Sequence, residues 1–326
     1  MRKIWPYPMK ALVFIIFTGL FVVSAAGNYT TSDPLVYHLH YLVEIENSQY
    51  PALDYSLQFP VFLTRGLPPY QKIFSLELPK QIKLTGASQN RTAVFSVKRL
   101  EPYKKIKLEI GYTIINSAIK YSLSPTPINT GAVMEPGYLK PEDGIESNNG
   151  RIFSLAQNLT LDLSGPLEKA KRLFEYVNAN LGYRPQSSAP HSALRTLERG
   201  GGSCEDYSLL YIALCRAAGI PARYVSGYRF EPREIGKNEI DLDQFAHAWV
   251  EVYLPDTGWI TVDPTFSYSI NGFKKVNFNF FGQILPDDRH LFFSYTRRLE
   301  RTVRWNYQTS QPARVNTGVH IFISRR

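Results

Sequence analysis

One of the two cysteines of this 326-residue chain stands in a stretch that suits a nucleophile. The stretch reads GGSCEDY, residues 201–207, and a helical pattern follows it. Ser203 is a suitable N-cap with Asp206 three residues later, so Cys204 is expected to be the first residue of the helix. Unpaired N–H groups and the helix dipole place partial positive charge there, which favours a thiolate. The glycines would let an acyl substrate approach, and the Cys204 N–H could face a developing oxyanion.

A base is also needed, because Glu205 and Asp206 bring negative charge into the same helical turn as Cys204. The strongest candidate is His247 in the stretch FAHAWVEV, since a neutral imidazole near a thiol can accept its proton. Asp263, in GWITVDPT, ends a predicted strand that a hairpin joins to the His247 strand. A carboxylate there would orient the imidazole and stabilise its protonated form.

The second cysteine has a different setting. Cys204 and Cys215 would lie about 16 Å apart along one helix, which is beyond the reach of a disulfide bond. Cys215 stands beside Leu214 and Ala217 in the middle of that helix, so it is predicted to be a core residue. The thiol of Cys204 therefore remains free for chemistry.

The periodicity of the sequence divides it into an N-terminal sandwich and a later mixed region, an α+β arrangement. Residues 30–123 alternate apolar and polar side chains between Pro, Gly and Asn turns, which predicts an antiparallel β-sandwich. Residues 124–163 are predicted to form a connector, because they include a segment rich in Pro, Gly, Asn and Ser. Residues 164–270 combine helical and strand periods and form the predicted core. Residues 271–326 are aromatic-rich and are predicted to be strands that complete this core.

Within the core, three helices and three strands are predicted. The first helix begins after Pro166, and the second covers Ser192 to Glu198. The third begins at Cys204 and stops at Gly219. The strands are Ala222 to Tyr228, Phe245 to Leu254 and Trp259 to Val262.

Residues 1–26 have the layout of a secretory signal, in which basic residues precede a short apolar run and then small residues. Removing them takes the formal charge from +9 to +6, so an exported protein stays basic. A location outside the cell or in its envelope is expected. The alternative is an uncleaved anchor, the one case in which membrane contact is expected. The sequence has no Lys/Arg block dense enough to indicate nucleic-acid binding.

The ordered motifs around Cys204, the segment GIPAR at Gly219–Arg223, and the His247 and Asp263 motifs together resemble the transglutaminase-like superfamily. The resemblance covers about a third of the chain. It implies a papain-like α+β core with a Cys-His-Asp triad at Cys204, His247 and Asp263. It implies neither a metal nor an organic cofactor. His38 and His40 share a strand face, but no third metal ligand accompanies them.

Members of this superfamily include cross-linking acyltransferases, peptidases, amidases and inactive proteins. Cross-linking eukaryotic members carry a tryptophan shortly before the nucleophile, and this sequence lacks an obvious counterpart. The second oxyanion donor therefore stays open, with Tyr183 and Gln186 as the candidates.

The first hypothesis is an exported thiol enzyme that acts on amide or isopeptide bonds of peptide or protein substrates, including cell-wall peptides or surface proteins. Hydrolysis and transfer both remain open. The alternative is an inactive transglutaminase-like module that binds peptides or an envelope partner in the same groove. The charged segment Glu231 to Asp243, just before the His247 strand, is either a lid or a solvated loop.

Overall fold

The computed structural model describes residues 28–86, 90–124, 135–185, 190–271, 273–297, 303–311 and 313–325. The predicted signal segment, residues 1–26, lies outside these ranges. None of the helices within them is long and apolar enough to span a membrane.

The N-terminal part is built from long strands. The first six are β1 (Tyr29–Asn47), β2 (Ala52–Pro60), β3 (Gln71–Glu77), β4 (Ile82–Thr85), β5 (Thr92–Leu100) and β6 (Lys105–Tyr121). Alternation along each strand sends one face inward, as in β1, where Leu39, Tyr41 and Val43 are buried while Glu44 and Glu46 are exposed. These strands form two packed sheets that share one apolar core, so the predicted antiparallel sandwich is confirmed.

The rest of the described chain mixes helices with shorter strands. The helices are α1 (Gly150–Thr160), α2 (Pro166–Asn180), α3 (Ala193–Arg199) and α4 (Cys204–Ala217), with 3-10 turns at Pro136–Leu139, Pro232–Glu234, Leu242–Phe245 and Phe278–Phe280. The strands are β7 (Gly182–Tyr183), β8 (Gly201–Gly202), β9 (Ala222–Phe230), β10 (Ile240–Asp241), β11 (Ala246–Leu254), β12 (Gly258–Val262), β13 (Tyr268–Ile270), β14 (Phe273–Lys275), β15 (Gln283–Ile284), β16 (Arg289–Ser294), β17 (Arg304–Gln308) and β18 (Val315–Arg325).

The core is a four-stranded antiparallel sheet in the order β12-β11-β9-β16, with the helices against one face. Helix α4 lies at the centre and is buried along most of its length, which explains its apolar sequence. The other helices and strands β9 and β11 pack around it. The core is therefore of the α+β type that the sequence predicts.

The structure differs from the prediction of a connector at residues 124–163, because helix α1 lies within this segment. Ile152, Ala156 and Thr160 recur at helical spacing and are buried, and Asn149 caps the helix N-terminus. The composition of the segment before the helix conceals this short amphipathic stretch. Helix α1 belongs to the core, since its apolar face packs there.

The prediction that residues 271–326 complete the core is only partly correct. Strand β16 does join the core sheet through β9. Strands β17 and β18 instead pair with β2 and β1 of the sandwich, with β18 in register from Tyr37↔Arg325 to Asn47↔Val315. The reason is that β18 covers a free edge of β1, which would otherwise leave its backbone groups unpaired.

Candidate active site

The start of helix α4 is fixed by side-chain capping. Ser203 and Asp206 form a reciprocal capping box, in which the Ser203 backbone N–H donates to Asp206 Oδ2 at 2.8 Å. Cys204 is thereby the first residue of the helix, as the sequence predicts, and its side chain is partly exposed. Strand β8 just before it pairs in parallel with β7. A Cβ on Gly201 would overlap the Gly182 backbone, so glycine is required where these two strands approach each other.

The acidic residues beside Cys204 are compensated by arginines. The Glu205 carboxylate accepts hydrogen bonds from Nε and Nη2 of Arg297 at 3.2 and 3.0 Å. The Asp206 carboxylate accepts from Arg199 Nη2 at 3.2 Å. The negative charge expected to oppose a thiolate at this helix end is therefore paired within the fold.

His247 and Asp263 are brought together by the predicted hairpin. Strands β11 and β12 pair from Val250↔Val262 to Leu254↔Gly258, and Asp263 follows directly on β12. Asp263 Oδ2 accepts a hydrogen bond from His247 Nε2 at 2.7 Å, and both side chains are almost fully buried. Because Nε2 is engaged in this way, the ring nitrogen left for the Cys204 thiol is Nδ1. Cys204 acts on this imidazole too, since it helps to raise the pKa of His247.

The electrostatics of the site favour a protonated imidazole between two acceptors. Burial acts to lower the pKa of His247, but the Asp263 carboxylate and Cys204 outweigh it and raise that pKa to about 10. Burial likewise acts to raise the pKa of Asp263, yet the charge of His247 and hydrogen bonds from His247 and His290 hold it well below its usual range. Such a site can carry a thiolate–imidazolium pair with an ionised carboxylate behind it.

Cys215 has the core position that the sequence predicts. It is fully buried in helix α4, and burial raises the pKa of its thiol to about 12. Both cysteines are free. The two thiols thus differ in burial and in neighbours.

Tyr183 lies opposite Gly202, two residues before Cys204. Its side chain is half-exposed on β7, and burial together with the charges of Cys204 and Asp263 raises the pKa of its phenol. The hydroxyl therefore stays protonated at neutral pH and can donate a hydrogen bond. The other candidate donor, Gln186, lies outside the described residues.

One side chain of the candidate site is not predicted from the sequence. His290 on β16 places its Nε2 2.9 Å from Asp263 Oδ2, the oxygen that also binds His247. Among the described residues, these three make up the cluster of potential metal ligands, with their donor atoms within 4.8 Å of one another. The Nε2 atoms of both histidines are hydrogen-bonded to the same oxygen of Asp263. No local motif marks His290, because it comes from a strand distant in sequence.

An aromatic ring and a cation flank the His247 imidazole. The Phe266 ring centroid is 5.4 Å from that of His247, and the Arg229 guanidinium lies 3.7 Å over the Phe266 ring. Arg229 also forms an ion pair with Asp288. Phe266 thus packs against the imidazole, and Arg229 packs on Phe266.

The segment Glu231 to Asp243 differs from a free lid. Its strand β10 pairs with β18, with Ile240 opposite Ile323. The Arg325 N–H also donates to the Gly236 carbonyl at 2.7 Å. The segment is thus anchored as an edge of the sandwich.

His38 and His40 in the sandwich bond to different neighbours. His38 Nδ1 lies 3.3 Å from Thr113 Oγ1, and His40 Nδ1 lies 3.3 Å from Glu239 Oε2. The two rings therefore do not converge on one point.

Comparison with known families gives a match to the core. The family model of the Transglutaminase-like superfamily matches residues 154–264, about a third of the chain. The matched range begins inside α1 and ends just after Asp263, so it contains all three residues singled out from the sequence.

Two curated proteins are similar to this chain over short segments. Uncharacterized protein YebA of Bacillus subtilis is 34% identical over 127 residues, which are 35% of this chain and 17% of that protein. A protein-glutamine gamma-glutamyltransferase of Pseudomonas aeruginosa is 46% identical over 66 residues, 20% of this chain and 10% of that protein. The chain thus spans less than a fifth of the length of either relative.

A solved structure resembles the whole architecture. A candidate cysteine protease from Cytophaga hutchinsonii superposes with a TM-score of 0.56 at 18% identity, covering 91% of this chain and 100% of that one. At this identity the likeness shows the fold, in which sandwich and core occur together.

Proposed function

Because residues 154–264 form a transglutaminase-like core, we propose that the protein is a cysteine-dependent enzyme that acts on amide or isopeptide carbonyls through an acyl-enzyme. The observation that carries the proposal is the buried hydrogen bond between His247 and Asp263, together with the effect of Cys204 on the pKa of His247. Three residue types that suit one reaction and are brought together from separate elements favour catalysis over simple peptide binding. Its substrates would be peptides or proteins, with cell-wall peptides and surface proteins as candidates for an exported chain.

The first half of the reaction uses His247 as an acid. The Cys204 thiolate adds to the carbonyl carbon, and the π electrons move to the carbonyl oxygen. When the tetrahedral intermediate collapses, the C–N bond breaks and Nδ1–H of His247 gives its proton to the departing nitrogen. Asp263 keeps its charge throughout and holds the ring by Nε2. The product is a thioester on Cys204 and a free amine.

The second half uses the same ring as a base. Neutral His247 accepts a proton at Nδ1 from water or from an incoming amine, which attacks the thioester carbonyl. Expulsion of the Cys204 thiolate restores the ion pair. Water gives hydrolysis and an amine gives transfer, so both outcomes use the same groups.

Charge on the carbonyl oxygen needs donors. The Cys204 backbone N–H is available, because the first N–H groups of a helix have no partner within it. Tyr183 is the proposed second donor, since its hydroxyl stays protonated and the charge of Cys204 is one cause of its raised pKa.

The test is the pH dependence of Cys204 alkylation. Iodoacetamide labelling of the full chain is followed by mass spectrometry from about pH 5 to about pH 9, with buried Cys215 as the internal control. We expect Cys204 to react at neutral pH well ahead of Cys215. In His247→Ala the reactivity of Cys204 at low pH should disappear.

An acyl donor then separates an enzyme from a binding module. With p-nitrophenyl acetate, an acetyl adduct should form on Cys204 and turn over in the wild type, while Cys204→Ser should form none. If Cys204 behaves as an ordinary thiol that is indifferent to His247, the enzyme proposal fails. The inactive module that binds peptides would then be the better description.

A further inference from the structure

A second histidine touches the carboxylate that orients His247. His290 lies on β16, and its side chain is 1% exposed. Its Nε2 is 2.9 Å from Asp263 Oδ2, and His247 Nε2 is 2.7 Å from the same oxygen. The oxygen Oδ1 of Asp263 accepts the Thr265 backbone N–H at 3.0 Å. Both carboxylate oxygens are therefore held.

The tautomer of His290 follows from its partner. An ionised carboxylate can only accept, so the hydrogen-bonded Nε2 of His290 must carry the proton. Burial lowers the pKa of His290 despite the opposing effect of Asp263, so the ring is neutral and Nδ1 holds a lone pair. Within the described residues, Nδ1 is buried without a hydrogen-bond partner. The charged and titratable groups that act on this ring are Asp263, His247 and Asp288.

A neutral donor suits the role of holding Asp263. It fixes the carboxylate without cancelling the charge that His247 needs, whereas a second imidazolium would compete for that charge. The His290 ring is itself fixed, because it packs edge-on to Trp249 with centroids 5.0 Å apart. Its backbone carbonyl accepts a hydrogen bond from Asn116 Nδ2 at 2.9 Å.

We propose that His290 is a positioning residue of this site, which donates its Nε2–H to Asp263 and thereby fixes the carboxylate that orients His247. His290 touches neither the thiol nor the scissile carbonyl in this scheme. The inference rests on the proposed function, since it deepens the account of the same site. In the proposed site four side chains act in sequence: His290 holds Asp263, Asp263 orients His247, and His247 exchanges a proton with Cys204.

The decisive variants are His290→Phe, which keeps a ring but removes the donor, and His290→Gln, which keeps an N–H donor. The exposed His320 on β18 gives the control His320→Phe. Alkylation of Cys204 against pH is measured for each, together with the melting temperature. We expect His290→Phe to slow alkylation near pH 6 about tenfold, since a hydrogen bond to a charged group is lost. The fall in the alkylation rate on the acid side of the profile should also begin at a higher pH than in the wild type. His290→Gln should recover most of the rate, and His320→Phe should match the wild type.

A second measurement reads the hydrogen bond without activity. In protein labelled with ¹⁵N-histidine, NMR should show His290 as the neutral tautomer protonated at Nε2, and the assignment comes from the signal lost in His290→Gln. A His290 protonated at Nδ1 would overturn the proposal. If His290→Phe does not fold, this tautomer decides the question.

The two proposals can fail separately. If wild-type Cys204 is fast at neutral pH but His290→Phe, folded as judged by its melting temperature, leaves the profile unchanged, the role of His290 is refuted and the proposed function stands. If wild-type Cys204 is itself an ordinary thiol, the proposed function fails and the proposed role of His290 fails with it.

Discussion

Charges around Cys204 are compensated one by one. Asp206 shows how closely, because its carboxylate caps the Ser203 N–H, accepts from Thr196 Oγ1 at 3.2 Å and pairs with Arg199. It is fully buried, so an unpaired charge there would be costly. Asp206, whose position suggests an unfavourable charge, is instead part of the structure that fixes Cys204. The sequence correctly predicts its capping role, whereas the arginine partner depends on tertiary packing.

Protonation of His247 should make stability depend on pH. Its pKa is about 10 in the fold and about 6.5 in an unfolded chain, so the stabilisation is fully present below about pH 6.5. It should then be lost as the pH rises through about 10. Urea unfolding of the wild type and of His247→Gln at about pH 6 and about pH 10 measures this effect. The stability difference between them should shrink by up to about 4 kcal/mol at the higher pH. A difference that grows with pH would contradict the assignment of an imidazolium.

Residue-level prediction was limited by sequence distance. Cys204, His247 and Asp263 stand within readable local motifs, so their types and neighbours identify them. His290 lies 27 residues beyond Asp263, and the contact depends on β16 pairing with β9. Such pairing is set by the packing of the whole sheet, which local alternation does not report.

At the level of elements, the turn into α4 depends on glycine. A Cβ on Gly202 would overlap the Asp206 carboxylate, which caps the helix and positions Cys204. Gly202→Ala should therefore cost about 1–3 kcal/mol of stability, as overpacking does, and should slow Cys204 alkylation at neutral pH. Gly236→Ala is the matched control, because a Cβ there meets nothing within 4 Å. Melting temperature and alkylation rate are the readouts, and equal effects of the two substitutions would refute the steric explanation.

Elements with local signals were predicted well. Helix α3, helix α4 with its capping box, and the β11–β12 hairpin all agree with the sequence. Strands β17 and β18 are predicted to complete the core but belong to the sandwich, because their partners β2 and β1 lie near the start of the chain. A strand's own residues indicate that it has a buried face, but they do not identify its neighbour.

At the scale of the whole molecule, the sandwich and the core meet at strands β9 and β16, which contribute side chains to both apolar cores. Strands β9 and β16 send Val225 and Phe292 into the helical core and Tyr228 and Phe293 into the sandwich core. Buried side chains of the sandwich also bond to the backbone of β16, which carries His290. The position of the catalytic carboxylate in our proposal therefore depends on the sandwich as well as on the core.

Gln71 of β3 offers a test of that dependence. Its amide donates to the Phe292 carbonyl at 2.7 Å and accepts the Phe292 N–H at 2.8 Å, with all four groups buried. Gln71→Leu would leave both backbone groups unpaired, so we expect a loss of about 2–4 kcal/mol. Gln58→Leu, at an exposed position of β2, is the control.

Urea unfolding followed by circular dichroism reports the strands, and the reactivity of Cys215, buried in α4, reports the core. Since strands β9 and β16 belong to both cores, the two probes should give the same urea midpoint of unfolding in each variant. That midpoint should fall in Gln71→Leu and stay near the wild-type value in Gln58→Leu. If Cys215 became reactive at a urea concentration at which the sandwich stays intact, the two parts would be independent units. The Gln71 contacts would then stabilise only their immediate surroundings on β16, and the rate of Cys204 alkylation in Gln71→Leu should match that of the wild type.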